Sequence, residues 1–429
     1  MKDKLTKLEK DWILYDVGNS AFILLTSTIM PIYFNYLADS AGISEVNYLA
    51  YWGYAASVST IIVAIIGPVL GTMADTKNLK KILFTAAMMM GVIGCAALSV
   101  PTSWIVFLAV FVIAKVGYST SLIFYDSMLT DVTTSERMDM VSSHGYAWGY
   151  IGSCIPFVIS LVFVLMYEKI GISMNMAMTI AFVLNAAWWM IVTIPLLKNY
   201  KQTNYVENQE HIIKDSFVRI AETIKDIKNQ KHIFMYLLSF FFFIDGVYTI
   251  IEMATAYGSA LGLDSQGLLL ALLLTQIVAF PCAIGFSVLS KKYKTDSLIK
   301  ACIIAYTGIA VFAIQLDKQW EFWLLAVLVG VFQGAIQALS RSYFAKIIPP
   351  NKSGEYFGIY DICGKGASFI GTTLVGIVAQ ITGIANAGVG IIAVIFVIGF
   401  VLFCKSAKLN RDIINKKELH KNEDMKGMV

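Results

Sequence analysis

Residues 71–81 read Gly71-Thr-Met-Ala-Asp75-Thr-Lys77-Asn-Leu-Lys80-Lys81, a tight polar loop between two long apolar runs. The glycine lets two helices approach closely. The aspartate can accept hydrogen bonds from a neighbouring helix end or pair with a basic side chain. The lysines suit anionic headgroups at a membrane surface. Taken alone, such a loop also serves as ordinary basic punctuation between two spans. What lies on either side of it decides its meaning.

Upstream, no Asp, Glu, Lys or Arg falls between Glu45 and Asp75, and similar runs lie between Asp16 and Asp39, Asp139 and Glu168, Lys169 and Lys198, and Asp264 and Lys291. A bilayer core needs about 20 apolar residues per helix, and each run is long enough. Backbone groups in lipid must be satisfied internally, so each run reads as a helix. The whole chain agrees: 57% of its 429 residues are hydrophobic and 14% are charged, against about 25% charged in a soluble domain.

The sequence predicts twelve spans, at 13–37, 48–72, 81–100, 103–126, 144–166, 176–197, 233–257, 266–289, 297–316, 320–343, 357–381 and 387–404. Pro101 divides the third from the fourth, and Gly383 the last two. With both termini cytoplasmic, the inside segments hold Lys77, Lys80, Lys81, Arg137, Lys291, Lys292, Lys294, Arg341, Lys346, Lys352 and both Lys-rich ends. The outside loops then hold only Lys169 and Lys318, the segregation that fixes orientation. Lys2, Lys4, Lys7 and Lys10 could open a signal peptide, but the following run is too long, and Asp16 and Asn19 interrupt its start.

The longest polar segment, 198–232, separates a first six-helix bundle (1–197) from a second (233–405), with a polar tail at 406–429. The tail is expected to be poorly ordered. Ile213, Phe217, Ile220, Ile224 and Ile227 recur within the linker at helical spacing. They predict an amphipathic helix on the membrane surface, against the cytoplasmic face of the bundle, or in water between the halves. The halves echo each other. Tyr125-Asp126-Ser127 after span four and Arg341-Ser342-Tyr343 after span ten each precede a polar loop and a glycine-rich helix start. Internal repeats of this kind are usual in secondary transporters.

Residues 71–81 resemble the major facilitator signature, G-x-x-x-D-x-[RK]-x-x-[RK]-[RK]. The loop from Gly285 to Lys294 is a degenerate second copy, with Lys291 where the aspartate would stand. Three further stretches narrow the resemblance: Asp11-Trp12 to Phe22, Ser143-His144-Gly145 to Gly152, and Gln333-Gly334 to Ser342 continuing through Ile348-Pro349-Pro350 to Asp361. Together they are similar to the autophagy-related vacuolar amino-acid effluxer-like branch of the major facilitators. The resemblance implies an all-α polytopic protein with twelve transmembrane helices in two bundles. It also implies a permease whose eukaryotic relatives export amino acids, here in the plasma membrane of a prokaryote, monomeric and ion-coupled. Gly71, Asp75, Lys77, Lys80 and Lys81 take gating roles by this resemblance.

A charge near mid-bilayer is a functional candidate because it costs at least about 2.5–3.5 kcal/mol to insert. Lys115 centres span four and Asp245 span seven. Glu252 lies two turns from Asp245 on the same face, with Tyr248 and Thr249 between. Gln333, Gln337 and Arg341 form a stripe on span ten, and Asp16, Asn19 and Thr26 one on span one. In the resembled fold, spans one, four, seven and ten line the central cavity. The expected substrate contacts are Asn19, Lys115, Asp245, Tyr248, Glu252, Gln333 and Gln337. Lys115 would face the carboxylate of a zwitterion and Asp245, with Glu252, its ammonium. Alternatively, Lys115 and Asp245 pair to hold the halves together, or Glu252 carries a coupling proton. Asp16, Asp126, Arg341, Asp361 and Lys365 are the expected gate residues, with helix capping the other role for Asp16 and Asp126, and Asp361 and Lys365 stand four apart and can simply pair.

No phosphate-binding loop, metal-ligand cluster, nucleophile elbow or basic nucleic-acid stripe occurs in a fitting context, so no cofactor, metal or enzymatic role is expected. Cys95, Cys154, Cys282, Cys302, Cys363 and Cys404 lie in or beside apolar runs, which reads as buried thiols without disulfides. A receptor or scaffold with a facilitator-like fold is the other reading. It would need neither the loop at 71–81 nor charges on four cavity helices.

Overall fold

The computed structural model describes residues 4–100, 103–207, 212–260, 262–383 and 385–426. Residues 208–211 of the linker and the last three of the tail lie outside them. The described chain is all-helical. Twelve helices are long and apolar enough to cross a membrane: Lys7–Ser40, Ala50–Ala74, Leu79–Ala97, Trp104–Val132, Met138–Leu165, Met174–Asn199, Lys231–Ala254, Leu270–Leu289, Thr295–Ala313, Gln319–Ile347, Pro350–Thr382 and Ala387–Lys416. These are spans one to twelve. Large apolar side chains such as Ile65, Leu165 and Ile381 stand exposed along them, as a lipid-facing surface requires.

Local signals set the ends. Thr6 and Glu9 form a capping box at the start of span one. The hydroxyls of Ser44 and Ser173 accept first-turn N–H groups of their helices, satisfying donors the helix leaves open. Span eleven closes at Gly383 with φ of +70°, a left-handed cap that glycine adopts without strain. Span one contains a π-helical stretch, Leu25–Ile29. The helix of span twelve runs on to Lys426. The tail expected to be poorly ordered is therefore helical along its described part.

The internal repeat is visible in the packing. Span one packs on five and six, two on four, and three on four and six; span seven packs on eleven and twelve, eight on ten, and nine on ten and twelve. Adding six to each member of the first set gives the second. The halves meet chiefly where span two crosses eleven and span five crosses eight and ten. The first crossing is glycine against glycine. A Cβ on Gly71 would meet the carbonyl oxygen of Gly354, and a Cβ on Gly358 would lie 2.8 Å from the Cα of Pro68. The linker forms the helix Ile212–Asn229, which packs on spans two and seven.

Candidate functional site: a charged seam between the halves

The loop after span two is built into the seam between the halves. Asp75 is wholly buried and accepts the N–H groups of Gly354 at 2.8 Å and Glu355 at 2.9 Å. Those groups belong to the first turn of the helix Ser353–Thr382, where N–H groups point outward and the helix dipole favours an anion. Lys80 Nζ lies 3.7 Å from Asp75 and 3.4 Å from Asp131, and donates to Ser353 Oγ at 2.8 Å. Lys80 is fully buried, not at the headgroups where the loop pattern places it. Two carboxylates and a hydroxyl hold it there, because a buried ammonium must be paired. Lys77 reaches Glu207 at 3.4 Å and lies over the Tyr205 ring, while Lys81 is half-buried. Burial pushes the Asp75 carboxyl up to about 7, against the opposite pull of Lys80 and the two N–H groups.

One layer further in, Arg341 joins the halves. Its Nη2 is 3.2 Å from Asp16 and its Nη1 3.0 Å from Asp126, so span ten is tied to spans one and four. Nε donates to Ser142 Oγ at 2.9 Å. The guanidinium lies over the rings of Trp12, Tyr125 and Tyr146, at 4.7, 5.4 and 4.5 Å. A planar fork with five donors fits two carboxylates and an aromatic cage together, which an ammonium would not. Gly145 gives it room: a Cβ there would meet Asp16 Oδ2 and lie 3.1 Å from Arg341 Nη2.

Beyond Arg341 lie the remaining intramembrane charges. Lys365 pairs with Asp361 at 2.6 Å and reaches the Ser119 carbonyl oxygen on span four at 3.4 Å. Lys115 lies in the fields of Glu252 and Lys365. Asp245, expected opposite Lys115, is otherwise engaged. It is 1% exposed and accepts the N–H of Gly371 at 2.9 Å and the hydroxyl of Thr249 at 3.3 Å. A Cβ at 371 would collide with it, so the bare backbone of span eleven draws the carboxylate into its own half. Asp245 is thus held within the second half, and Glu252 is the carboxylate whose charge acts on Lys115.

The neutral candidates divide as well. Asn19 is buried, donating to the Tyr15 carbonyl at 2.9 Å and to Asp16 at 3.4 Å. Gln337 spans the halves, donating to Tyr150 Oη at 3.3 Å. Tyr248 is half-buried. Gln333 and Thr249 edge an apolar cavity of about 250 Å³ inside the second half, lined by Met253, Tyr257, Leu325 and Val389 among others.

Two gate elements escape a reading based on basic residues. Asp139 accepts from Ser342 at 2.6 Å, Thr295 at 2.6 Å and Lys346 at 2.6 Å, joining span five to ten and nine. Asp131 holds Lys80 and also accepts from Tyr200 at 2.6 Å and the N–H of Asn204 at 2.8 Å. A signal for both exists. Asp131, Glu136 and Asp139 make the end of span four, the loop after it and the start of span five acidic on a side otherwise rich in lysine and arginine.

The halves are thus closed together by this seam on the side that carries both ends of the chain. Span two against eleven and five against eight, with an arginine tying span ten to one and four, is the arrangement of a two-bundle permease. The family model described as "Vacuole effluxer Atg22 like" matches residues 6–136 and 130–413. The chain belongs to that family. This Atg22-like chain is 40% identical over 407 residues to the uncharacterised MFS-type transporter YxiO of Bacillus subtilis (strain 168), spanning 94% of this chain and 95% of YxiO. Autophagy-related protein 22 of Saccharomyces cerevisiae (strain ATCC 204508 / S288c) is 26% identical over 279 residues, covering 57% of this chain and 52% of the yeast protein. Among solved structures, the transporter FucP in its outward conformation superposes with a TM-score of 0.71 over 93% of this chain and 97% of FucP, at 12% identity. A bacterial ferroportin homologue in an outward-facing state gives 0.68 over 94% and 98%, at 13% identity. Those two likenesses show the fold. The Atg22-like chain is a multi-pass transporter of the major facilitator superfamily, a family of solute carriers and not of enzymes.

Proposed function

We propose that this transporter moves a small zwitterion, an amino acid, by alternating access, as a monomer in the plasma membrane of a prokaryote. What supports this reading is a cation on span four of the first half, Lys115, and an anion on span seven of the second, Glu252, the carboxylate whose charge acts on Lys115. A zwitterion supplies the opposite charge to each and so bridges the halves at the depth where such sites lie. Gln333, Gln337 and Tyr248 offer neutral hydrogen bonds around it, and the neighbouring apolar cavity receives its side chain. Asn19 supports the site from within its own helix, and Asp245 from within its own half.

The lysine and arginine count puts both termini in the cytoplasm. The closed seam then lies on the cytoplasmic side. Inward of the loop residues, the four carboxylates Asp16, Asp126, Asp361 and Glu252 outnumber the three cations Arg341, Lys115 and Lys365 by one. An excess carboxylate inside a span is a group that can relay a proton, which supports proton coupling through Glu252. The relative in Bacillus subtilis supports the plasma membrane as the location.

The test is a thermal-shift screen of the purified protein against each proteinogenic amino acid, since a ligand that binds only the folded state raises its melting temperature. The reading expects at least one amino acid to stabilise wild-type protein but not Lys115→Gln. A flat response across all of them contradicts it.

A further inference from the structure

The linker helix Ile212–Asn229 has four sides. Ser216, Ile220, Thr223 and Ile227 are buried, and this face lies on spans two and seven. Phe217 and Ile224 are 56% and 50% exposed, and Val218, 50% exposed, lies apart from them between Lys225 and Glu222. Seven residues apart at about 100° per residue, they stack on one stripe, roughly 80° round from the buried face. Lys225 and Lys228 continue beyond that stripe and are exposed, while Glu222 and Asp226, also exposed, lie on the far side. Arg219 closes the circuit. Its Nη2 is 3.1 Å from Glu355 Oε2, and the N–H of Glu355 is one of the two donors to Asp75.

The helix also lies at a definite level. It leads through Gln230 into the helix of span seven at Lys231, and Arg219 meets Glu355 in the first turn of span eleven. Both points are ends of membrane-crossing helices, so this helix lies in the plane where headgroups sit. In that plane its sides fit their surroundings. Protein covers the buried face, acyl chains suit Phe217 and Ile224, anionic headgroups suit Lys225 and Lys228, and water suits Glu222 and Asp226. A helix in water between two domains has no use for an apolar stripe bordered by lysines.

We propose that the linker helix is seated on anionic lipid of the adjoining leaflet, and that this seat holds the gate beneath it closed. The helix touches span two in the first half and spans seven and eleven in the second, so a seated helix staples the halves. Arg219 passes its position to Glu355, and Glu355 to Asp75. The proposal rests on the membrane-spanning reading and not on the solute, the direction of transport or the orientation.

The test uses symmetric vesicles of phosphatidylcholine alone, or of phosphatidylcholine and phosphatidylglycerol at about 3:1, a composition whose negative surface attracts lysines near it. The first arm places a fluorophore at Phe217→Cys in a variant lacking the six native cysteines. Lipid brominated on its chains should quench it, and aqueous iodide should not. Quenching by iodide, as for a helix in water, overturns the proposal. So does protection from both quenchers, as under a protein partner. The second arm reads the distance between spin labels at Ser135 and Lys292, in loops of opposite halves. The ratio of closed to open protein should rise at least about fivefold in the anionic vesicles. The rise should vanish in the double variant Lys225→Gln, Lys228→Gln. In Arg219→Gln the brominated-lipid quenching should persist while the rise is lost. Equal ratios in both lipids, or a rise that survives the lysine substitutions, overturn the proposal and leave the transport reading untouched.

Discussion

Asp75 at the end of span two accepts the backbone N–H of Glu355 at the start of span eleven at 2.9 Å, and so joins the two halves through a helix terminus. The carboxyl stands at about 7 in this closed form against an ordinary value of 3.8 when exposed. Closing therefore takes up a proton. The contribution of Asp75 to closure is complete below about pH 4, fades as pH rises, and is gone above about pH 7. Spin-label distances between Ser135 and Lys292 recorded from pH 5 to 8 should show the closed fraction falling with pH. Asp75→Asn cannot titrate and should remove that slope. An unchanged slope in the variant would assign the effect to another group.

Gly71 makes a second, purely steric prediction. Its missing Cβ is what lets the Gly354 backbone lie against it. Gly71→Val should insert in the membrane, since each half keeps its own core, but the halves should stand apart at this crossing. Thiol reagents should then label a cysteine at Ser142, now covered at the seam, at least about tenfold faster than in wild type, the equivalent of 1.4 kcal/mol lost from closure.

Arg341 is the third test. Removing one partner of a buried ion pair costs about 3–5 kcal/mol, because a charge is left uncompensated. Arg341→Gln leaves both Asp16 and Asp126 without their cation and should open the seam or unfold the protein. Arg341→Lys keeps the charge but loses the fork and the aromatic stacking. It should recover only part of the melting temperature in a thermal scan.

Much of this was legible in the sequence. Twelve long apolar runs gave twelve helices because lipid admits no other backbone solution; Gly383 divided the last two where span eleven ends, while Pro101 lies outside the described residues. Asp75 and Arg341 drew attention because a charge beside or inside a span is costly. What remained hidden was direction. Asp245 and Glu252 lie on one helical face, yet Gly371 on another helix draws Asp245 away from the seam. Lys80 sits in a loop rich in lysines, yet Asp131, more than fifty positions away, buries it. Both outcomes depend on which backbone comes close, which spacing along one helix does not encode.

Asp245 and Glu252 should therefore separate by experiment. Asp245→Asn leaves buried donors poorly matched, at about 1–3 kcal/mol, and should lower the melting temperature while leaving ligand affinity nearly unchanged. Glu252→Gln should leave the melting temperature close to wild type and lower amino-acid affinity at least about tenfold, a loss of 1.4 kcal/mol. The reverse pattern would return Asp245 to the binding site.

The most direct measurement is counterflow of radiolabelled amino acids in proteoliposomes loaded with the same unlabelled amino acid. Exchange through an alternating-access site needs no imposed ion gradient and no knowledge of direction. The account predicts transient accumulation of at least one amino acid by wild-type protein, and none by Lys115→Gln or Glu252→Gln reconstituted to the same density. Accumulation no greater than in protein-free liposomes for every amino acid, or full accumulation by both variants, would contradict it.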